Sequence, residues 1–207
     1  EYDSPCDWRD LSDCADNSQG QLRAQYVYCP CPQYSNGDIA AAAITETYFA
    51  GARGEPVHAY YLPPVGAVAT EDRSVPLLLI VHGGPQGAIM NSWNYRWNMS
   101  LFAAQGYGLL AVNFHGSVGY GQAFTDSIRG DWGNGPYQDC LLGVEHALRR
   151  HAYLDPERVA ALGASYGGYM INWMNGHTDR FKCLVNHDGI FSLQSLYYVT
   201  EVRRLTS

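Results

Sequence analysis

Apolar and polar positions along the chain fall into short runs with two spacings. Thr45-Glu46-Thr47-Tyr48-Phe49 alternates and is rich in β-formers, and Val57 to Leu62 follows it after the turn Gly51-Ala52-Arg53-Gly54. This pair predicts a hairpin at a sheet edge, ended by Pro63-Pro64. Leu77-Leu78-Leu79-Ile80-Val81 is the most apolar run and predicts a central strand covered on both faces. Gly108 to Asn113, Val159 to Leu162 and Cys183 to Asn186 read as further strands, with Asp155-Pro156 turning the chain into the second of these. Helical spacing lies between them. Asn94 to Gln105 predicts a helix that carries Trp97, Leu101 and Phe102 toward the sheet, and Pro136 to His151 predicts one with Leu141, Val144 and Leu148 inside. Tyr169 to Asn175 predicts a helix stopped by Gly176, and Leu193 to Ser207 has helical character. Strand and helix in alternation imply an α/β fold, a mainly parallel sheet with helices on both faces and right-handed crossovers. Residues 1–44 show no period and carry turn signals at Pro30, Pro32 and Asn36-Gly37, so they form an irregular segment ahead of a domain at 45–207.

Composition narrows the function classes. With 46% hydrophobic and 16% charged residues the chain has the makings of a packed core. A net charge of -7 argues against a nucleic-acid partner, and no apolar run reaches membrane-span length. The chain opens on Glu1-Tyr2-Asp3 without a methionine or a visible signal peptide, which suits a processed product or a fragment. Cys6, Cys14, Cys29 and Cys31 crowd the start, which suits an oxidising compartment. Their spacing completes no zinc site, and neither a metal nor another cofactor is expected. Asn98-Met99-Ser100 is a glycosylation sequon.

The chemistry centres on Gly163-Ala164-Ser165-Tyr166-Gly167, between an apolar run and a helix. A sharp strand-to-helix turn of this kind lifts a serine clear of the sheet, and its flanking glycines avoid a collision across the turn. Ser165 is therefore a candidate nucleophile, against the plainer reading of a glycine-rich turn with an incidental serine. The helix start offers the Tyr166 N–H to an oxyanion, and His82-Gly83-Gly84-Pro85 supplies bare backbone for a second donor. Tyr166 and Tyr120 are expected beside the pocket, and Asp139 and Arg129 as charges positioning the loops near it. His177 lies roughly 18 Å along the helix from Ser165, too far for a base. His187, next to Asp188, reads as an anchor of the strand end, and His82 as a loop anchor. Arg129-Gly130-Asp131 spells an adhesion tripeptide of the kind that chance also produces.

His82-Gly83-Gly84-Pro85, Asn113-Phe114-His115-Gly116-Ser117 with Gly119-Tyr120-Gly121, and Gly163 to Met170 together resemble the catalytic domain of the prolyl oligopeptidase family of serine peptidases. Asn91-Ser92-Trp93, Phe124 to Trp132 and Asn186-His187-Asp188-Gly189 draw the likeness toward its secreted dipeptidyl peptidases. The resemblance implies an α/β-hydrolase, peptide substrates cut near the N-terminus, and secretion. It implies Ser165 as nucleophile, Gly84 and Tyr166 as oxyanion donors, and a cleft that His82, Pro85 and Tyr120 help to line. In this family the acid and histidine of the triad follow two further strands, whereas the stretch after Ser165 holds one. The triad Asp and His, the last strands and the substrate-filtering propeller are therefore expected outside this chain, leaving 45–207 a truncated domain of low stability. The alternatives are an inactive fragment of such an enzyme, and an esterase or lipase on the same fold.

Overall fold

The Leu77 run lies at the middle of the fold, as its apolar character demands. The computed structural model describes residues 43–65, 74–92, 94 and 96–199, which belong to one compact unit, Ala41–Ser207. The first 42 residues, with their four cysteines, and the end of the expected C-terminal helix lie outside the described residues.

The elements follow in the order β1 (Thr45–Ala50), a short 3-10 turn (Ala52–Gly54), β2 (Pro56–Leu62), β3 (Val75–Val81), α1 (Met99–Ala104), β4 (Gly108–Asn113), α2 (Gln122–Asp126), α3 (Gly135–Arg150), β5 (Leu154–Ala164), α4 (Tyr166–His177), β6 (Cys183–His187) and α5 (Leu193–Val199). The strands form one six-stranded sheet in the order β1-β2-β4-β3-β5-β6. β1, β2 and β4 pair antiparallel, and β4, β3, β5 and β6 run parallel. The hairpin thus sits at one edge, as its alternation predicts, and Leu79 pairs with Leu110 on one side and Ala161 on the other.

Alternate residues of the central strands feed two cores. Leu77, Leu79, Val81, Leu110, Val112, Val159 and Ala161 face α3 and α4, whose Cys140, Val144, Ala147, Met170 and Met174 close that layer. Leu62, Leu78 and Leu109 face the other way and meet Ala103 and Met99 of α1. Among the described residues, helices therefore cover both faces, thickly on one and with the six-residue α1 on the other. No described helix is long and apolar enough to cross a membrane.

Local chemistry moves several boundaries. The helix expected from Asn94 begins only at Met99, because the Asn94 carboxamide accepts from the Arg96 and Trp97 amides at 2.9 Å and holds a turn. Asn98 then caps α1 by accepting from the Ser100 N–H at 2.9 Å. Met99 and Ala103, one turn apart, face the sheet, while Trp97, Leu101 and Phe102 are 44%, 64% and 37% exposed, contrary to the expected inward face. Asp155-Pro156 lies within β5, at a register shift between β3 and β5, and does not precede it. α4 starts earlier than expected and runs through Gly176, where a Cβ would meet nothing within 4 Å. The five-residue α2 follows the Gly116–Gly121 loop.

Candidate active site

Strand β5 ends at Ala164, α4 begins at Tyr166, and Ser165 alone makes the turn. Its φ of 57° and ψ of -119° lie in a region that non-glycine residues rarely occupy. Neighbouring glycines make the bend possible. A Cβ on Gly163 would stand 2.5 Å from the Gly167 carbonyl group, and one on Gly167 would land on the Val81 carbonyl oxygen. The Ser165 N–H donates to the His187 carbonyl of β6 at 3.1 Å, and its own carbonyl accepts from Tyr169 N–H at 3.0 Å to start α4. Ser165 is exposed, so its hydroxyl stands clear of the packed interior. Tyr166, the first residue of α4, has one of the amides that lack an intrahelical acceptor. Its side chain does not flank a pocket. It is fully buried, its hydroxyl donates to the Trp132 carbonyl at 2.6 Å, and burial raises its pKa far above the ordinary value.

The loop after β3 comes to the same place. A Cβ on Gly83 would lie 3.4 Å from Ser165 Cβ and 3.9 Å from its Oγ, so this arm passes directly beside the serine. Gly84 follows, exposed and at φ 130°, where a side chain would be strained. His82 anchors the arm. Its ring stacks on Phe114 with centroids 4.1 Å apart, and burial lowers its pKa to about 4. The neutral ring carries its proton on Nδ1, which donates to the Gly83 carbonyl at 2.8 Å. Nε2 then accepts from the Ser117 hydroxyl at 2.9 Å, so both nitrogens are engaged. Pro85 is buried and does not line an open cleft as expected. Tyr120 also departs from expectation. Its hydroxyl turns to β2, 2.6 Å from His58 Nδ1 and 2.8 Å from Asn113 Nδ2, and the ring packs on Phe124.

The remaining histidines fall into other roles. His187 ends β6 with its ring against the edge of Trp97, centroids 5.1 Å apart, and its Nε2 3.4 Å from Asp188. His177 bonds the Trp173 carbonyl at 2.7 Å at the far end of α4. Asn186 ties β6 to α4, donating to the Gly168 carbonyl at 3.1 Å and to Asn172 at 2.8 Å. Sequence reasoning missed the partner of Asp139. This buried carboxylate accepts from the Ala52 and His115 amides at 2.7 Å and from His115 Nδ1 at 2.6 Å, while His115 Nε2 reaches Glu55 at 3.0 Å. It fixes the β4 loop to α3 and to the hairpin turn. Nothing local to either residue signals the pair, which joins the loop after β4 to the first half of α3. The Arg129-Gly130-Asp131 tripeptide is not presented for adhesion, because Asp131 accepts from the Asn134 and Gly135 amides at the start of α3 and pairs with Arg53 at 3.1 Å. Among the described residues no three His, Cys, Asp or Glu side chains gather as a metal site.

Residues 93–207 match the prolyl oligopeptidase family of peptidases. The chain is 43% identical over 169 residues to dipeptidyl-peptidase 5 of Schizosaccharomyces pombe, covering 81% of this chain and 24% of that protein. It is 45% identical over 138 residues to dipeptidyl-peptidase 4 of Giardia intestinalis, covering 65% and 18%. Among solved structures it is similar to the acylaminoacyl peptidase of Pyrococcus horikoshii, with TM-score 0.74, 29% identity, and 80% of this chain on 26% of that one. A puromycin-hydrolyzing peptidase of Mycobacterium tuberculosis gives 0.70 at 33% identity, with 77% on 24%. These neighbours are α/β-hydrolases, and the sheet and its helices form part of that fold. The chain spans about a quarter or less of the length of these relatives.

Proposed function

This chain belongs to the prolyl oligopeptidase family, and from that premise we propose that it carries the nucleophile and oxyanion loops of a serine exopeptidase that releases dipeptides from peptide N-termini. The observation that carries the reading is the meeting of two loops, with Gly83 against an exposed Ser165 held at φ 57°.

Ser165 Oγ attacks the scissile carbonyl carbon, and its proton passes to a histidine. The carbonyl oxygen becomes an oxyanion held by the N–H groups of Tyr166 and Gly84. The C–N bond then breaks, the histidine gives its proton to the departing amine, and water hydrolyses the acyl-serine. His82 and His187 do not serve as the base in this scheme. His82 has both nitrogens engaged, and the His187 ring lies against Trp97. The base and its acid come from outside residues 43–199. A propeller that filters substrates by size belongs to the same proposal. The names of the relatives support dipeptides as the product class.

The test uses full-length protein and a fluorophosphonate probe, which labels only an activated serine. Labelling is expected on Ser165. Ser165→Ala is expected to abolish it and to lower turnover of a dipeptidyl-coumarin substrate roughly a millionfold. Wild-type protein that takes no label, or takes it elsewhere, overturns the reading. A short-chain ester turned over in place of the peptide substrate selects the esterase alternative.

A further inference from the structure

The buried end of β4 carries a side chain that the proposed reaction does not use. Asn113 is the last residue of that strand and is fully buried. Its Oδ1 accepts from the Ile89 N–H at 2.8 Å, and its Nδ2 donates to the Ile89 carbonyl at 3.0 Å. One carboxamide thus grips both backbone groups of one residue, as a neighbouring strand would. Ile89 lies a few residues past Gly84 on the same arm.

We propose that Asn113 is a positioning residue, which clamps Ile89 and so sets where the Gly83-Gly84 arm stands relative to Ser165. This inference rests on reading Ser165 as the nucleophile and Gly84 as an oxyanion donor.

The clamp cannot swivel. A flipped amide would set Oδ1 against the Ile89 carbonyl and Nδ2 against its N–H, losing both bonds. The second Nδ2 hydrogen goes to the Tyr120 hydroxyl at 2.8 Å, and that hydroxyl donates to His58 Nδ1 at 2.6 Å. Burial lowers the pKa of His58, which keeps Nδ1 free to accept, and its Nε2 faces the Glu46 carboxylate at 3.8 Å. Two further ties run parallel to the clamp. The Val118 N–H donates to the Gly87 carbonyl at 3.0 Å, and Ser117 holds His82. The arm is therefore braced along its length by β4 and the loop after it. Among the described residues, Asn113 engages it through a side chain set in a fully buried strand. Oxyanion donors act over tenths of an ångström, so a brace that sets their position controls rate more than substrate affinity.

Full-length Asn113→Ala, Asn113→Asp and Tyr120→Phe proteins test the idea, with kcat counted per titrated active site. Asn113→Ala and Asn113→Asp are expected to lower kcat and the rate of fluorophosphonate acylation by about tenfold to a hundredfold, with KM within about threefold of wild type. Asp keeps the acceptor for the Ile89 N–H but sets a second acceptor against the Ile89 carbonyl. Tyr120→Phe is expected to cost about twofold to fivefold, because Asn113 Nδ2 stands 3.1 Å from His58 Nδ1 and can donate there instead. The Ile89 amide is expected to exchange slowly in wild-type protein, a readout that holds even if an Asn113 variant fails to fold. Folded Asn113 variants with wild-type kcat, a change confined to KM, or an Ile89 amide that exchanges like an open loop each overturn the inference while leaving Ser165 as nucleophile. Wild-type protein unlabelled at Ser165 removes both.

Discussion

The two loops that meet at Ser165 are held by different means. The elbow between β5 and α4 is held by backbone fit, with glycines at 163 and 167 packed where a Cβ would strike main-chain atoms. The arm after β3 is held by side chains reaching from elsewhere, Asn113 onto Ile89 and Ser117 onto His82. Backbone fit is intolerant, because main chain against main chain has nothing flexible to move. Side-chain bracing is long-range and graded, because each hydrogen bond can be lost singly.

That contrast can be broken, starting with the elbow. Gly167→Ala is expected to cost about 4 kcal/mol or more, leaving little folded protein by urea titration, since its Cβ would fall on the Val81 carbonyl. A folded, labelled Gly167→Ala protein would show that the elbow yields as the arm does. Acid probes the arm. His82 has a folded-state pKa near 4 against an ordinary 6.5. Between those values the unfolded chain binds a proton that the folded one refuses, so the contribution is complete above about pH 6.5 and is lost as pH falls toward 4. Urea melts across that range should show a smaller loss of stability in His82→Gln than in wild type. His151, also lowered to about 4 by burial and Arg150, is present in both and cancels. Parallel pH curves for the two proteins would refute the assignment. The smallest effect belongs to Ser117→Ala, which removes one hydrogen bond to His82 and is expected to cost about 1–2 kcal/mol in the same titration. A cost equal to that of Gly167→Ala would erase the distinction.

The same contrast decides what could be read from the chain. The elbow was legible because strand, serine, glycines and helix are contiguous, and the hairpin because its alternation and turn are. The collision between positions 163 and 167 lies across the turn and follows from the glycines there, whereas that of Gly167 with Val81 joins α4 to the distant β3 and has no local sign. Asn113 with Ile89 and His115 with Asp139 each join positions 24 apart, and neither partner carries a local sign of the other. The helix at Asn94 failed for a different reason. Apolar spacing there is overridden by two asparagines whose side chains take the backbone amides. Tyr166 was half legible. Its backbone stands at the site, while its ring fills the core against Phe114 and Trp132.

One bond at the elbow has a consequence in time. The amide of Ser165 is held by the carbonyl of His187, on a strand the chain supplies later. A polypeptide leaves the ribosome amino end first, so the serine emerges before the residue it leans on. On the proposed reading, the turn that presents its hydroxyl gains this brace only once that later strand has docked.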